Sequence, residues 1–386
     1  MAQSNSVEKA RQEIQRLCYK GLDSWMLRDS ALKHIRTLVP FDCAWWATTD
    51  PATLLSTSGL SDGMPEKAMP LFLANEILEE DVNKFRGLAQ DSTPINTLHA
   101  ATEGRYETSS RFREILRPFA MGDELRIALR EGGLTWGFIC MHRTLNAMPF
   151  SSVEIGLLRD LGPHLAAGLR NALLIGQRTS GPGQEAPGVV TLSDDLSIVH
   201  TTTNAQVWLD EMSDWPTGTA SAQAVSSVAS QLLSLERGGN SSLIASPRVR
   251  IRTRAGRWLT LHALRLSDAD QGGTIAVVME PTRPEEMAPL LLSAYALTER
   301  ERGIAQHVLR GLSNKAIASA ASVTSLTVQQ HLKAIFEKVG VHSRGELIGR
   351  VMVDYHRQIT PEVAIHKTSA NSTGVKPPAV AATRKP

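Results

Sequence analysis

The spacing of apolar residues in the first 175 positions indicates a mixture of helices and strands. The segment "SALKHIRTLV" has the 3.6-residue spacing of an amphipathic helix that ends before Pro40, and "FDCAWWATTD" then has the composition of a strand. Two apolar runs flank Gly132 and Gly133, residues that tolerate a tight turn, so we predict a β-hairpin over residues 124–143. The polar stretch "GRYETSSRFREILRPFAMGDELR" leads into that hairpin.

A long helix is predicted after the hairpin. Ser151 or Ser152 with Glu154 gives a capping-box pattern at its start, and Pro163 predicts a kink or a short break inside it. A stripe of leucines recurs at helical spacing along this helix, and we expect it to form a dimer interface. The stripe consists of Leu158, Leu161, Leu165, Leu169 and Leu173.

Alternating apolar and polar positions predict a second set of strands between residues 188 and 280. The runs "GVVTLS" and "LSIVHTT" surround a turn at Asp194 and Asp195, and a helical stretch follows them. The runs "RVRIRTR" and "RWLTLHALRL" then form a predicted hairpin joined at Ala255 and Gly256, and "GGTIAVVMEP" is a last strand. This region is therefore a second predicted α+β unit.

Three breaks interrupt the periodic segments. The run "GQRTSGPGQEAPG" is rich in glycine and proline and is typical of a linker, and "EPTRPEEMAP" is a shorter joint marked by prolines. The last 28 residues lack both periodicity and aromatic side chains, which predicts a disordered tail.

The order of elements in the two α+β regions resembles two known sensory folds. Helix, strand, connecting helices, hairpin and long terminal helix resemble a GAF domain over about 145 residues. A strand pair, helices and three further strands resemble a PAS-like domain. Domains of the GAF type bind small molecules or only dimerise, so the resemblance implies a sensory role but names no ligand.

Composition excludes several classes of protein. With 41 basic and 39 acidic residues the net charge is only +2, so a nucleic-acid surface has to be local. Cys18, Cys43 and Cys140 are widely separated, which favours reduced thiols over a disulfide or zinc framework. Neither a signal peptide nor an apolar run long enough to span a membrane is present, so we expect a cytoplasmic protein without membrane contact.

The end of the chain has the sharpest helical pattern. Thr298 with Glu301 opens a first helix that runs to Arg310 and ends at Gly311, and Ser313 caps a second helix, "NKAIASAA". Thr324 caps a third helix, and Ser343 with Glu346 opens a fourth. On the third helix the predicted buried stripe is Val328, Leu332, Ile335 and Val339. Residues 294–352 contain eight basic and four acidic residues, an excess of four, so this short segment is more basic than the entire chain.

At this segment the sequence resembles the LuxR-type DNA-binding domain. The match covers some 50 residues, "LTERERGIAQHVLRGLSNKAIASAASVTSLTVQQHLKAIFEKVGVHSRGELI", with the family spacing intact. In that family the third helix enters the major groove and the fourth commonly contributes to dimerisation. The sequence departs from the family pattern at Gly303, at Gln329 and in "SAASVT", and Gln329 leaves the preferred base open.

Residues on and after the third helix are the predicted DNA contacts. Gln329 and Gln330 suit adenine edges, and Lys333 suits guanine or a phosphate. Thr327, His331, Lys338 and Arg344 suit phosphate oxygens, which position a helix without specifying sequence. The complete predicted set is Ser325, Leu326, Thr327, Gln329, Gln330, His331, Lys333, Lys338 and Arg344.

Other functional groups are weakly indicated. Trp45, Trp46 and Trp136 could line a pocket, but neighbouring Trp45 and Trp46 point to opposite faces of a strand, and a core role is favoured for each. Asp42, Cys43 and His142 have no partner at a catalytic spacing, and a phosphate-binding G-x-x-x-x-G-K-[ST] loop is absent. We therefore predict no catalytic residues, no metal, no cofactor and no enzyme activity.

These patterns predict a multidomain transcription regulator. Its partners are double-stranded promoter DNA, a second copy of the chain in a homodimer, an unidentified small-molecule effector and RNA polymerase. The alternatives are a constitutive DNA-binding protein whose sensor-like domains only dimerise, a sensory enzyme that turns over its ligand, and a helical protein-interaction module. The predicted domains are a GAF-like α+β domain at 1–175, a linker at 176–187, a PAS-like α+β domain at 188–283, an all-α four-helix helix-turn-helix domain at 290–356 and a disordered tail at 357–386.

Overall fold

The computed structural model contains two α+β units followed by a helical unit. It describes residues 2–175, 186–212, 219–238, 247–253, 256–266 and 273–359. The predicted linker at 176–187 lies almost entirely outside the described residues, as does the predicted tail after residue 359. No helix within these ranges is long and apolar enough to cross a lipid bilayer.

The first unit is built around a five-stranded antiparallel sheet with strand order β2-β1-β5-β4-β3. Short single-turn helices at Glu66–Ala68, Tyr106–Thr108 and Phe112–Leu116 complete the connections. In chain order the elements are α1 (Ala2–Tyr19), α2 (Ser24–Leu38), β1 (Cys43–Thr49), β2 (Ser56–Asp62), α3 (Met69–Leu78), α4 (Phe85–Gln90), β3 (Ile95–Thr97), α5 (Leu98–Ala101), β4 (Met121–Glu131), β5 (Leu134–Thr144) and α6 (Ser152–Leu174).

The predicted amphipathic helix, the strand after it and the hairpin of this unit are confirmed as α2, β1 and the β4–β5 pair. Gly132 and Gly133 both have positive φ, which places the turn where it was predicted. Trp46 is fully buried with α1, α2 and α6, whereas the preceding residue, Trp45, packs on the opposite face of the sheet with Phe85. The sheet therefore separates two helical layers.

Helix α6 corrects two expectations. The capping box of Ser151 with Glu154 forms as predicted, but the helix runs unbroken through Pro163 rather than containing a break. The leucine stripe is not a dimer interface, because Leu158, Leu161, Leu165 and Leu169 are buried in the core of the first unit. Helical periodicity identified a buried stripe correctly, but it cannot distinguish burial within a chain from burial between chains.

The second unit has another five-stranded antiparallel sheet, with strand order β7-β6-β10-β9-β8. The predicted pair of strands around Asp194 and Asp195 is confirmed, and so is the pairing of "RVRIR" with "WLTLHALRL". The turn residue Ala255 lies outside the described residues. The elements are β6 (Gly188–Leu192), β7 (Ile198–Thr201), α7 (Thr203–Met212), α8 (Thr219–Glu236), β8 (Arg248–Arg252), β9 (Trp258–Leu266) and β10 (Thr274–Pro281).

The third unit is all-α. The segment expected to be a short joint instead begins a helix, because Pro284 occupies its first turn, where proline needs no hydrogen-bond partner. The helices are α9 (Pro284–Ala294), α10 (Glu299–Leu309), α11 (Asn314–Ala320), α12 (Ser325–Val339) and α13 (Arg344–Ile359).

The three units are in direct contact. Arg250 of β8 forms a two-pronged ion pair with Asp50, which follows β1, and also donates to the carbonyl of Glu286 in α9 at 2.7 Å. Trp258 of β9 packs in the core of the helical unit, against which Leu173 of α6 is half-buried. The helical unit is therefore held by contacts with both α+β units.

Candidate nucleic-acid interface

Short-range capping determines where the helices of the third unit begin. Thr298 accepts a hydrogen bond from the backbone N–H of Glu301, whose carboxylate accepts in return from the N–H of Thr298, completing the predicted capping box. At α11 and α12 the cap is one-sided: the side chains of Ser313 and Thr324 accept from the backbone N–H groups of Ala316 and Thr327. Gly311 and Gly340 have φ of 80° and 71°, left-handed conformations that end α10 and α12 at low steric cost.

Helix α12 is held by the apolar stripe that the sequence predicted. Val328, Leu332, Ile335 and Val339 are all buried against α10 and α11 in a common core. Burial of these four side chains fixes the rotation of the helix about its axis, and thereby determines which residues face outward.

The opposite face of α12 is open to solvent even with all three units present. Leu326 is 65% exposed, and Gln329, Gln330 and Lys333 are exposed as well. These positions follow the i, i+3, i+4, i+7 spacing, so they form one stripe along the helix. We call Leu326, Gln329, Gln330 and Lys333 the outer stripe.

The start of α12 adds polar groups beside the outer stripe. Ser325 is exposed, and Thr327 is half-buried with its hydroxyl 2.8 Å from that of Thr324. The unpaired backbone N–H groups of a helix N-terminus favour an anion, and a nearby phosphate is a suitable one. His331 is half-buried at the flank of the stripe.

Lys338 is directed away from the outer stripe and towards α10. Its ammonium lies 2.7 Å from the carboxylate of Glu301, the residue that also completes the capping box. Although burial alone would raise the pKa of Glu301, hydrogen bonds from Lys338 and Thr298 hold that pKa below its usual range. Lys338 thus links α12 to α10 through a pair of residues 37 positions apart, which no local pattern in the sequence indicates.

Arg344 also has partners within the chain. It is half-buried at the start of α13, where its guanidinium donates to the carbonyl of Leu312 and to the side chain of Asn314 at 3.2 Å. These bonds join α13 to the loop before α11. The structure thus gathers seven of the nine predicted contacts on α12 near its open face and ties Lys338 and Arg344 to other helices.

The three departures from the family pattern lie in three different parts of the domain: inside α10, in the connection before α12, and on α12 itself. Gly303 is inside α10, and an added Cβ there would meet nothing within 4 Å. Ser322 in the connection before α12 has a φ of 53°, a left-handed conformation that is uncommon for a residue with a Cβ. Gln329 belongs to the outer stripe. Of the three departures, only Gln329 therefore changes the exposed chemistry of α12.

Comparison with known proteins agrees with this geometry. Residues 295–351 match the family model described as bacterial regulatory proteins, luxR family. This range begins just before α10 and ends within α13, so it includes the caps at Thr298, Ser313 and Thr324 and the outer stripe. Residues 295–351 are a LuxR-type helix-turn-helix domain.

Two curated relatives match short stretches of the chain. A protein described as a nitrate/nitrite response regulator protein homolog, from Haemophilus influenzae, is 41% identical over 49 residues, which are 13% of this chain and 24% of that protein. A protein described as an HTH-type transcriptional regulator in the exeN 3'region of Aeromonas salmonicida is 39% identical over 62 residues, 16% of this chain and 32% of its own length. The chain therefore spans about a quarter to a third of these relatives.

A buried cluster in the first unit has the donor types of a metal site. Single ligand atoms of Glu124, Cys140 and His142 lie within 4.8 Å of one another. However, Glu124 is already paired with Arg111 at 2.8 Å and with Arg126 at 2.9 Å. Two guanidinium groups beside the carboxylate oppose a cation, and burial raises the pKa of the Cys140 thiol to about 12, so we assign no metal to this cluster.

Proposed function

We propose that the whole chain is a sequence-specific transcription regulator that binds promoter DNA through α12. The observation that carries the proposal is the outer stripe, an exposed row of two amides and a lysine on a helix whose rotation is fixed by its buried face. Glutamine amides can pair with adenine in the major groove, and each good bidentate pair contributes about 1–3 kcal/mol of discrimination between bases.

The residues of the interface divide by proposed role into those that contact bases and those that contact phosphates. Gln329 and Gln330 read base edges, Leu326 packs against thymine methyl groups, and Lys333 reaches guanine or a phosphate. Ser325, Thr327 and His331 bind phosphate oxygens and set the register of the helix. Glu337, which is exposed on the same side of the helix near its end, would repel phosphates, so we place the DNA along the first half of α12.

Lys338 and Arg344 have a different proposed role. Because both are bonded to neighbouring helices, we assign them to holding α12 and α13 in position rather than to direct phosphate contact. Their positive charges still contribute to the local electrostatic attraction of DNA.

We further propose a homodimer in the cytoplasm whose two LuxR-type domains bind paired half-sites. One small domain contacts too little DNA for a tight complex, and half-sites about one helical turn apart would be matched by the two copies. We assign the two α+β units as GAF-like and PAS-like. They would bind a small molecule or a protein partner and thereby change how the two LuxR-type domains are positioned for DNA binding. RNA polymerase is the proposed partner in transcription.

A selection from a randomised duplex library, carried out with the full chain, tests this function. The proposal predicts enrichment of a short motif, usually present twice with centres about 10 base pairs apart. Recovery of unenriched sequences would contradict it, whether or not the protein binds DNA. A constitutive DNA-binding protein would give the same motif, but its affinity would not respond to any metabolite.

A further inference from the structure

A cavity of about 480 Å³ lies where the three units meet. Its walls come from the first unit near α2, β1 and α6, from β8 and β9 of the second unit, and from Leu290 of α9. This volume is in the range of cavities that hold small organic ligands.

Ten of the seventeen residues in the cavity wall are polar or charged, but apolar atoms form most of its surface. Trp25, Trp136 and Trp258 contribute indole rings. Leu169, Leu173 and Leu290 complete the apolar part of the wall. A hydroxyl pair, Thr48 with Thr57 at 2.7 Å, lies among them. Such a lining suits a ligand with a flat or apolar body and few polar groups.

One arginine in the wall is incompletely paired. The guanidinium of Arg252 donates from Nη1 to the carbonyl of Ile175 at 2.8 Å and makes a long 3.4 Å contact from Nε to the carbonyl of Gly256. Nη2 has no acceptor among the residues that the structure describes. Burial lowers the pKa of Arg252 to about 10, a shift that Asp23 partly opposes. Two residues earlier on the same strand, Arg250 has a complete carboxylate partner in Asp50.

The charges around the cavity favour a ligand with one negative charge over a ligand with two. Asp50 is neutralised by Arg250, whereas Arg252 forms no ion pair with a described carboxylate and feels only the charge of Asp23. Asp23 also lines the cavity and would repel a second negative charge on the ligand. A monoanionic carboxylate, which is planar like the guanidinium, fits these conditions better than a dianionic phosphate.

We propose that this cavity binds a small monocarboxylate with an aromatic or apolar body, its carboxylate on Arg252 and its body among the three indoles. Nη2 is closed off from the cavity surface, so the guanidinium has to turn slightly to meet the ligand and exchanges its long contact with Gly256 for a charged hydrogen bond. This inference rests on the proposed function only for its effect on DNA binding.

The position of the cavity gives a route from ligand to DNA. Trp258 and Leu290 belong both to the cavity wall and to the core of the helical unit, and Leu173 packs against that core. A ligand that fills the cavity contacts all three side chains. It would therefore favour one placement of α9 and of the LuxR-type domain behind it.

A second cavity between the α+β units provides a matched control. It has a volume of about 530 Å³, and its buried arginine, Arg126, is paired with Glu76 at 2.6 Å and with Glu124. Arg86 also lines this cavity and donates to Gln231 at 3.2 Å. Arg86→Gln thus removes an arginine from the other cavity while leaving Arg252 untouched.

Calorimetric titration of the full chain with indole-3-acetate, phenylacetate and octanoate tests the proposal. We expect at least one of them to bind, and its neutral amide to bind at least about tenfold more weakly. Arg252→Gln should weaken the carboxylate by about tenfold or more, Arg252→Lys should lose less, and Arg86→Gln should leave affinity unchanged. Ala172→Leu, which narrows the cavity without changing charge, should also weaken binding and covers the case in which Arg252→Gln fails to fold.

Several results would overturn the proposal: no binding by any of the three acids, equal affinity for acid and amide, or a loss in Arg86→Gln but not in Arg252→Gln. Fluorescence anisotropy with duplex DNA is measured separately. If the chain binds DNA but none of the acids, this inference alone fails. If it binds an acid but shows no sequence preference on DNA, the proposed function fails instead.

Discussion

Gln330 projects from the middle of the outer stripe, with exposed neighbours on both sides. Replacing it by alanine should remove a bidentate contact to adenine and cost about 1–3 kcal/mol on the selected site, with a smaller loss on scrambled DNA. Anisotropy titrations on the two duplexes measure the difference. Equal losses on both would remove Gln330 from the residues that read bases.

Experiment can distinguish two roles of Lys338, the structural contact with α10 and a direct contact with a DNA phosphate. If it holds α12 to α10 through Glu301, Lys338→Gln should lower the free energy of unfolding by about 1 kcal/mol, since the mostly buried carboxylate loses its charged partner. Urea unfolding of the variant measures this, and Lys333→Gln on the exposed stripe is the matched control with little expected change. Unchanged stability together with weaker binding to all DNA would return Lys338 to the phosphate contacts.

His142 makes the first unit sensitive to acid. It is fully buried opposite Glu124, and burial lowers its pKa to about 4 against a usual value of 6.5, although the Glu124 carboxylate opposes the shift. The unfolded chain therefore takes up a proton between these values that the folded chain does not. The contribution of His142 to the free energy of unfolding is fully present above about pH 6.5. It should fall, by on the order of 3 kcal/mol, as pH drops towards 4.

Urea unfolding followed by tryptophan fluorescence at pH 7 and at pH 4.5 measures this effect. His142→Leu should lose less stability than the wild type over the same interval, because it has no proton to gain. Both proteins share the contribution of the carboxylates, so the comparison isolates the histidine. Identical losses would show that His142 does not titrate in this range.

At the scale of single elements, the stability of helix α10 depends on its N-terminal cap and on the residue at position 303. Thr298→Ala removes the side-chain acceptor of the capping box and should destabilise the protein by about 1 kcal/mol. Gly303→Ala should stabilise it by about 0.5–1 kcal/mol, since the added methyl meets nothing and the unfolded chain becomes less flexible. Thermal unfolding should move in opposite directions for the two variants, and a decrease for Gly303→Ala would be contrary to this view of α10.

The elements that sequence predicted well are those with local signals. The caps at Thr298, Ser313 and Thr324 and the turn at Gly132 and Gly133 depend on residues within a few positions of one another, so spacing was sufficient. Strand β2, "STSGLSD", carries almost no apolar alternation and was missed, because its pairing with β1 stabilises it rather than its own pattern.

In the candidate site, too, the features with a local sequence pattern were predicted and those that depend on distant residues were not. The buried and exposed faces of α12 follow from helical spacing, so the outer stripe could be identified from sequence. The partner of Lys338 lies 37 positions earlier, and the Arg250 link to Asp50 joins residues 200 apart. No local pattern reports such pairs, and neither does it reveal the cavity around Arg252.

At the scale of the whole molecule, the link between Asp50 and Arg250 should hold the α+β units together. The Asp50 side chain is 1% exposed, so Asp50→Asn leaves a mostly buried arginine without its carboxylate and should cost about 3 kcal/mol. Asp62→Asn breaks the exposed pair with Arg36 and should cost less than about 1 kcal/mol. Differential scanning calorimetry should show a lower or split transition only for Asp50→Asn, and equal effects would mean that the interface is held by other contacts.

Genome-wide mapping of sites bound in the native cells tests the central claim most directly, namely that α12 reads DNA sequence on behalf of the whole chain. The wild-type protein is compared with a Gln329→Ala, Gln330→Ala double variant that leaves the helical core intact. We predict discrete wild-type sites that share one motif near transcription starts and that are lost or relaxed in the variant. Occupancy without a shared motif, or an identical set of sites for both proteins, would contradict the claim.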